Sequence, residues 1–292
     1  MRLDLPAATG AARSVAYAYT GGKPFDATRP CVLFVHGALH DHSVWTLLAR
    51  WFANHGRSVL AVDLPGHGRS AGAPLASVEA CADWLLAVLD AAGVGRAAFV
   101  GHSMGSLIAL EAAARAGARA EALVMVATAY PMKVSSTLLE TARSAPLQAI
   151  DMVNTYSHST FSAKPSHPGP GSWLQGGNRA LMRRQQAASN QVNLFEHDFE
   201  VCNRYANGLE AAASVACPAH FILGTRDQMT APRDSLNLGG ALRARLHPVD
   251  AGHALMTEAP DAVLAALRAA LSAEPADQAA SKSATVAVSK PA

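Results

Sequence analysis

The chain has 292 residues, 50% of them hydrophobic and 16% charged, with 24 Lys and Arg against 22 Asp and Glu for a formal net charge of +2. That is enough apolar material for one large core, and no basic stripe interleaves with aromatics, so nucleic acid is excluded as an expected partner. The longest apolar runs, such as Ala122 to Ala127, fall far short of the roughly 20 residues that span a bilayer, and no membrane anchor is predicted.

The first thirty residues include Arg2, Asp4, Arg13 and Lys23 without a continuous apolar stretch, which lacks the layout of a secretory signal and predicts a soluble cytoplasmic protein. Four cysteines (Cys31, Cys81, Cys202, Cys217) without a CxxC pair suggest small core residues, not a disulfide framework or a zinc knuckle.

In chain order, Cys31 to His36 and Ser58 to Asp63 read as buried strands, apolar on both faces and ending in polar or Gly-rich turns. Ala97 to Val100, Ala122 to Ala127, Ala219 to Gly224 and Leu246 to Val249 are four more. Val44 to His55, Val78 to Ala92, Ser106 to Ala116 and Pro260 to Leu271 carry apolar residues at helical spacing. Strands alternating with helices predict an α/β fold, a mostly parallel central sheet with helices on both faces.

The alternation stops between about Pro131 and Ala213, where the sequence turns helical and polar around a Pro- and Gly-rich loop, SAKPSHPGPGSW. The expected organisation is a core of residues 1–130 and 214–272, an inserted helical cap at 131–213, and a tail at 273–292 too poor in large apolar groups to fold.

The most informative stretch is AAFVGHSMGSLIALEAAARA: a short apolar strand, then Gly101-His102-Ser103-Met104-Gly105, then an Ala-rich helix. A GxSxG string alone means little, but between strand and helix it places a serine hydroxyl on a strained turn above a sheet edge. A hydroxyl is a weak nucleophile at neutral pH, so it needs an imidazole to take its proton and a carboxylate to orient that imidazole. HFILGTRDQM places Asp227 just past a strand, and HPVDAGHALMTE places His253 in the loop after the next one. Open parallel sheets gather their catalytic groups at that carboxyl edge.

Among the twelve histidines, His102 lies inside the turn and His247 inside a strand, which favours His253 as base. Asp250 competes for the acid but sits only three residues before His253, where it reads as a turn residue. Backbone N–H groups of Ala38, after the strand ending at His36, and of Met104, after the serine, are the expected oxyanion donors. His36 and Gly37 read mainly as a structural turn. Tyr130, Met132, Tyr156, Phe161 and Trp173 are candidates for an apolar substrate pocket, or for the cap's own small core. His158 and His167 read as solvated residues, and no metal or organic cofactor is expected.

HGALHDHSVW, DLPGHGRS, GHSMG, GTRDQM and AGHALMTE, in that order, resemble the α/β-hydrolase superfamily in its branch of small, cap-bearing serine carboxylesterases. The likeness covers about Arg29 to Tyr130 and Ala216 to Leu271. It implies the α/β-hydrolase fold and the same roles for Ser103, Asp227, His253, Ala38 and Met104, and it makes Asp63 to Ser70 a mostly structural loop. One departure is Ser106, where many relatives carry a third glycine.

A serine at the elbow, where the resemblance would place aspartate in haloalkane dehalogenases and epoxide hydrolases, leaves an acyl-enzyme route on a small to medium carboxylic ester. Thioesters and lactones are alternatives. Carbon-carbon bond hydrolases of ring-cleavage products use the same triad but tend to show Asn before the serine and Trp after the histidine, where this chain has His102 and Ala254. A hydrolase-fold ligand-binding protein is the non-enzyme alternative. The expected partner is a small ester-like molecule, and the expected state of the protein a monomer or homodimer.

Overall fold

The computed structural model describes residues 1–5, 14–159, 174–189 and 192–272. The tail expected at 273–292, the central loop of the inserted segment, and the candidates Phe161, Trp173 and His167 lie outside the described residues.

Eight strands form one sheet: β1 (Arg2–Leu5), β2 (Ser14–Tyr19), β3 (Cys31–Val35), β4 (Ser58–Asp63), β5 (Ala97–His102), β6 (Ala120–Val126), β7 (Ala219–Gly224) and β8 (Arg245–Val249), in spatial order β1-β2-β4-β3-β5-β6-β7-β8. All pairings from β4 to β8 are parallel, while β1 and β2 add an antiparallel edge. The six parallel strands are those legible in the sequence. The antiparallel pair is not, because RLDL is only four residues long and the small Ser and Ala residues of SVAYAY weaken its strand signal.

The period-2 geometry of a strand sends alternate side chains to opposite faces, and both faces are covered here. In β3, Cys31, Leu33 and Val35 enter one core cluster and Val32 and Phe34 the other; in β5, Ala97 and Phe99 part from Ala98 and Val100 in the same way. The second face is covered by α1 (Thr46–Asn54), through Leu48, Ala49 and Phe52, and by the last described helix, through Val263 and Leu267. The first face is covered by α2 (Val78–Ala91) and α3 (Met104–Ala116), whose Leu85, Val88, Leu107 and Leu110 are fully buried. Ser77 begins α2 by accepting the Ala80 N–H, leaving one fewer orphan donor at that terminus.

Among the described residues between β6 and β7 the chain forms five helices and no strand: α4 (Ser136–Ser144), α5 (Pro146–Ser157), α6 (Leu174–Ala188), α7 (Leu194–Arg204) and α8 (Gly208–Ser214). The last of these lies against α3, where buried Glu111 accepts hydrogen bonds from Tyr205 Oη at 2.9 Å and Asn207 Nδ2 at 2.7 Å. Two further helices have no clear signal in the sequence: α9 (Leu236–Ala241), which contains two glycines, and the one-turn α10 (Leu255–Glu258). The chain's described part ends with α11 (Pro260–Ser272). No described helix is long and apolar enough to cross a membrane.

Candidate active site

Ser103 stands between β5 and α3 with φ +53° and ψ −123°, a backbone conformation that side-chain-bearing residues rarely adopt. The glycines around it are steric necessities. A Cβ on Gly101 would lie 1.9 Å from the carbonyl oxygen of Gly105, and one on Gly105 would lie 2.4 Å from His36 O and 2.5 Å from Val35 O. Strand, turn and helix therefore approach so closely that only hydrogen fits at both positions. Ser106, the departure from the usual glycine, lies with its hydroxyl 2.6 Å from Ser103 O and 2.7 Å from Thr128 Oγ1, bracing the elbow from below.

Asp227 follows β7 and His253 follows β8, both at the carboxyl edge beside the elbow and both 5% exposed. His253 Nδ1 lies 2.9 Å from Asp227 Oδ2. That carboxylate also takes Met229 N at 2.8 Å, Thr230 N at 2.9 Å and Thr230 Oγ1 at 2.7 Å. Burial alone would raise the Asp227 pKa, but the adjacent His253 and these donors hold it below the usual carboxylate value, so it stays ionised. Thr230, whose hydroxyl is also 3.1 Å from His253 Nδ1, is marked in the sequence by nothing beyond its place three residues after Asp227.

Ser103 and His253 line one cavity of about 300 Å³, together with Ala38, Met132, Val134, Leu138, Tyr156 and Phe199. No hydrogen bond joins Ser103 Oγ to His253 Nε2 in this conformation, though both residues face the shared space. A larger cleft of about 480 Å³ opens at the other end of the sheet among Arg57, Arg96, Glu121 and Cys217, away from all three groups.

Of the pocket candidates, Met132 and Tyr156 do line the 300 Å³ cavity. Tyr130 does not: its ring packs edge-on against Tyr205, 5.8 Å between centroids, and over Gly208, and its hydroxyl bonds to Ala206 O. A cis peptide at Tyr130-Pro131 accompanies that turn away from the site. Phe199 and Cys202 on α7, with Met229 and Lys133 from loops, also line the cavity; a mostly polar helix gives no local sign of which face looks inward, and loop residues follow no period at all. His158, expected in solvent, is buried at 3% exposure, with Nδ1 3.3 Å from Asn154 O.

The remaining histidines near the site are struts. His36 Nδ1 donates to Gly37 O at 2.8 Å while its Nε2 accepts Leu64 N–H at 3.1 Å, and burial with the neighbouring His67 pushes its pKa down to about 4. His102 Nε2 donates to the carbonyl oxygen of His253 at 3.0 Å; burial, then the nearby His253, hold it well below the usual histidine value. Asp250 is a surface partner of Arg226 and does not reach His253. Among the described residues, Asp41, His42 and Asp63 form one cluster with potential metal-ligand atoms within 4.8 Å, but His42, Ser43, Gln185 and Arg184 already engage those carboxylates.

An eight-stranded, mostly parallel sheet with a serine on a strained strand-to-helix turn, and an aspartate-histidine pair after the last two strands, defines the α/β-hydrolase class. The family model described as the alpha/beta hydrolase family matches residues 32–266, and the chain belongs to that family. It is 38% identical over 106 residues to the dihydrolipoyllysine-residue acetyltransferase component of the acetoin cleaving system of Pseudomonas putida, over 34% of this chain and 27% of that protein. Over 102 residues it is 37% identical to the sn-1-specific diacylglycerol lipase of Mus musculus, covering 35% of this chain and 33% of the lipase. These matches thus span about a third or less of the relatives' own length. The enol-lactonase of Burkholderia xenovorans superposes with a TM-score of 0.72 at 21% identity, covering 89% of this chain and 97% of the lactonase, a likeness of fold.

Proposed function

We propose that this protein is a serine hydrolase that cleaves small to medium carboxylic esters through an acyl-enzyme on Ser103. The observation that carries the reading is the Asp227–His253 pair, 2.9 Å apart and buried, bordering the same cavity as the strained Ser103.

In this reading Ser103 Oγ attacks the ester carbonyl as His253 Nε2 takes its proton. The tetrahedral oxyanion rests on the Ala38 and Met104 N–H groups, near the positive end of the α3 dipole. The imidazolium formed is stabilised by ionised Asp227 and returns its proton to the departing alcohol. Water, deprotonated by the same imidazole, then releases the carboxylic acid and restores Ser103. The cavity is lined mainly by apolar side chains, among them Leu138 on α4, Val153 on α5 and Phe199 on α7, which suits an uncharged acyl group and limits water.

A fluorophosphonate probe and 4-nitrophenyl esters test this directly. Wild type labels covalently and shows a burst of nitrophenol; Ser103→Ala does neither and loses roughly 10⁴ to 10⁶ in turnover. An unlabelled wild type, or a Ser103→Ala variant that keeps its activity, overturns the reading. Including thioesters and lactones in the same panel ranks the leaving groups.

A further inference from the structure

Helices α6 and α7 grip three consecutive residues of the loop after β3. Leu39 N–H donates to Asp198 Oδ2 on α7 at 2.9 Å, and His40 Nε2 bonds to Asn178 Oδ1 on α6 at 2.8 Å. Asp41 Oδ2 accepts from Gln185 Nε2 at 2.8 Å and from Arg184 at 3.0 Å, both on α6. The first of these contacts differs in kind, because it joins a backbone donor to a buried carboxylate.

Asp198 is 1% exposed, and its Oδ2 also bonds to His67 Nε2 at 2.9 Å, while its Oδ1 bonds to His197 Nδ1 at 3.2 Å. Leu39 is the residue that needs holding. Its side chain is fully buried and its φ is +53°, in the left-handed region that a leucine occupies only when its surroundings over-determine it.

Ala38, the neighbour of Leu39, lines the cavity with Ser103 and His253. Both peptide planes that flank it are anchored. The Gly37–Ala38 plane is held through Gly37 O, which accepts from His36 Nδ1 at 2.8 Å; because a trans peptide points its N–H opposite to its carbonyl, this bond also sets the direction of the Ala38 N–H. The Ala38–Leu39 plane is held through Leu39 N–H, and its anchor is Asp198.

We propose that Asp198 is a positioning residue for acyl transfer: a carboxylate on α7 that locks the Ala38–Leu39 peptide and, with His36 holding the Gly37–Ala38 peptide, fixes Ala38 from both sides so that its N–H stays against the oxyanion. This rests on the reading of Ser103 as nucleophile. It gives the helices between β6 and β7 a part in catalysis beyond covering the site, since the core's own loop is completed by a side chain from outside the core. Phe199, the next residue on α7, lines the cavity, so substrate contacts and loop position are set by one short piece of helix.

The test compares wild type, Asp198→Ala and Asp198→Asn with 4-nitrophenyl acetate as substrate and 1,1,1-trifluorobutan-2-one, which forms a tetrahedral adduct, as inhibitor. Asp198→Ala lowers kcat by about 10- to 10³-fold, up to the range for losing an oxyanion donor, with KM within about threefold. Affinity for the trifluoromethyl ketone falls by a like factor. Asp198→Asn keeps one oxygen for the Leu39 N–H and recovers part of both; if the alanine variant does not fold, the asparagine variant alone must show the kcat and inhibitor losses. Losses that only track the unfolded fraction in a thermal melt, or a higher KM at unchanged kcat, overturn the proposal. Wild-type kcat in both variants of a chain that labels with fluorophosphonate removes Asp198 from the role and leaves Ser103 in place, whereas an unlabelled, inactive wild type removes both.

Discussion

Ser103 and Leu39 are both non-glycine residues at φ +53°, and both sit where the proposed chemistry happens. Strain of this kind costs on the order of 1 kcal/mol or more for each residue and persists only when packing enforces it. At Ser103 the enforcement is the contact between β3, β5 and α3 that leaves room for nothing but hydrogen at Gly101 and Gly105. Gly105→Ala therefore drives a methyl into the β3 backbone, which cannot yield without losing its pairing with β4 and β5. The expected cost is about 3 kcal/mol or more, read as a lower denaturation midpoint or a loss of soluble protein. Asp227→Asn keeps the shape but removes the charge facing His253; in the acyl-transfer reading kcat falls by roughly 10⁴ while circular dichroism stays that of the wild type. The GxSxG spacing and the two downstream residues were legible because each lies beside a strand end. Thr230 and Asp198 were not, since neither residue type nor local pattern marks a side chain whose partners are distant in the chain.

The segment Asp63 to Ser70 reads as a mostly structural loop in the sequence, and at the level of elements it is a docking point for the helices above. His67, in the turn after β4, pairs with Asp198 on α7 at 2.9 Å, and Gln185 on α6 accepts Gly68 N–H at 2.9 Å. Burial works against charge on His67, but the Asp198 carboxylate outweighs it and raises the pKa; burial likewise opposes ionised Asp198, which His67, His197 and the Leu39 N–H hold far below the ordinary value. His36, His40 and Asp63 on the core side, and Cys81 and Cys202 around the carboxylate, complete the charged and titratable surroundings. A raised histidine contributes stability that is full below its unfolded value of about 6.5 and is lost as pH rises through the folded value. A depressed aspartate contributes stability that is present above about 3.9 and is lost as pH falls. The pair is thus strongest between about pH 4 and 6.5. The thermal stability difference between wild type and His67→Gln should be larger at pH 5.5 than at pH 8.5, and an equal difference at both would show that the pair is uncharged.

Across the whole molecule, the cavity of about 300 Å³ is walled by the loop after β3 and the elbow below, and by α4, α5 and α7 above. In the acyl-transfer reading, acyl selectivity belongs to those helices. Leu138, half-buried on α4, lines the cavity, and Leu138→Trp should fill it: the ratio of kcat/KM for 4-nitrophenyl octanoate to that for the acetate drops by about tenfold or more, since lost or added methylene contacts are worth roughly that much. An unchanged ratio would place the acyl chain elsewhere.

By itself the sequence determined the layering, the six parallel strands, the helices packed on them and the three residues at their carboxyl ends, because each follows from a local period or from a short motif at a strand's end. Tertiary structure alone decided that Tyr130 turns away to Tyr205 while Phe199 faces the cavity, that His158 is buried, and that Asp198 reaches Leu39 from 159 positions away. Local propensity sets which residues become helix or strand; which face of a polar helix looks inward, and which buried carboxylate meets which backbone donor, depend on packing between segments that no short window of sequence contains.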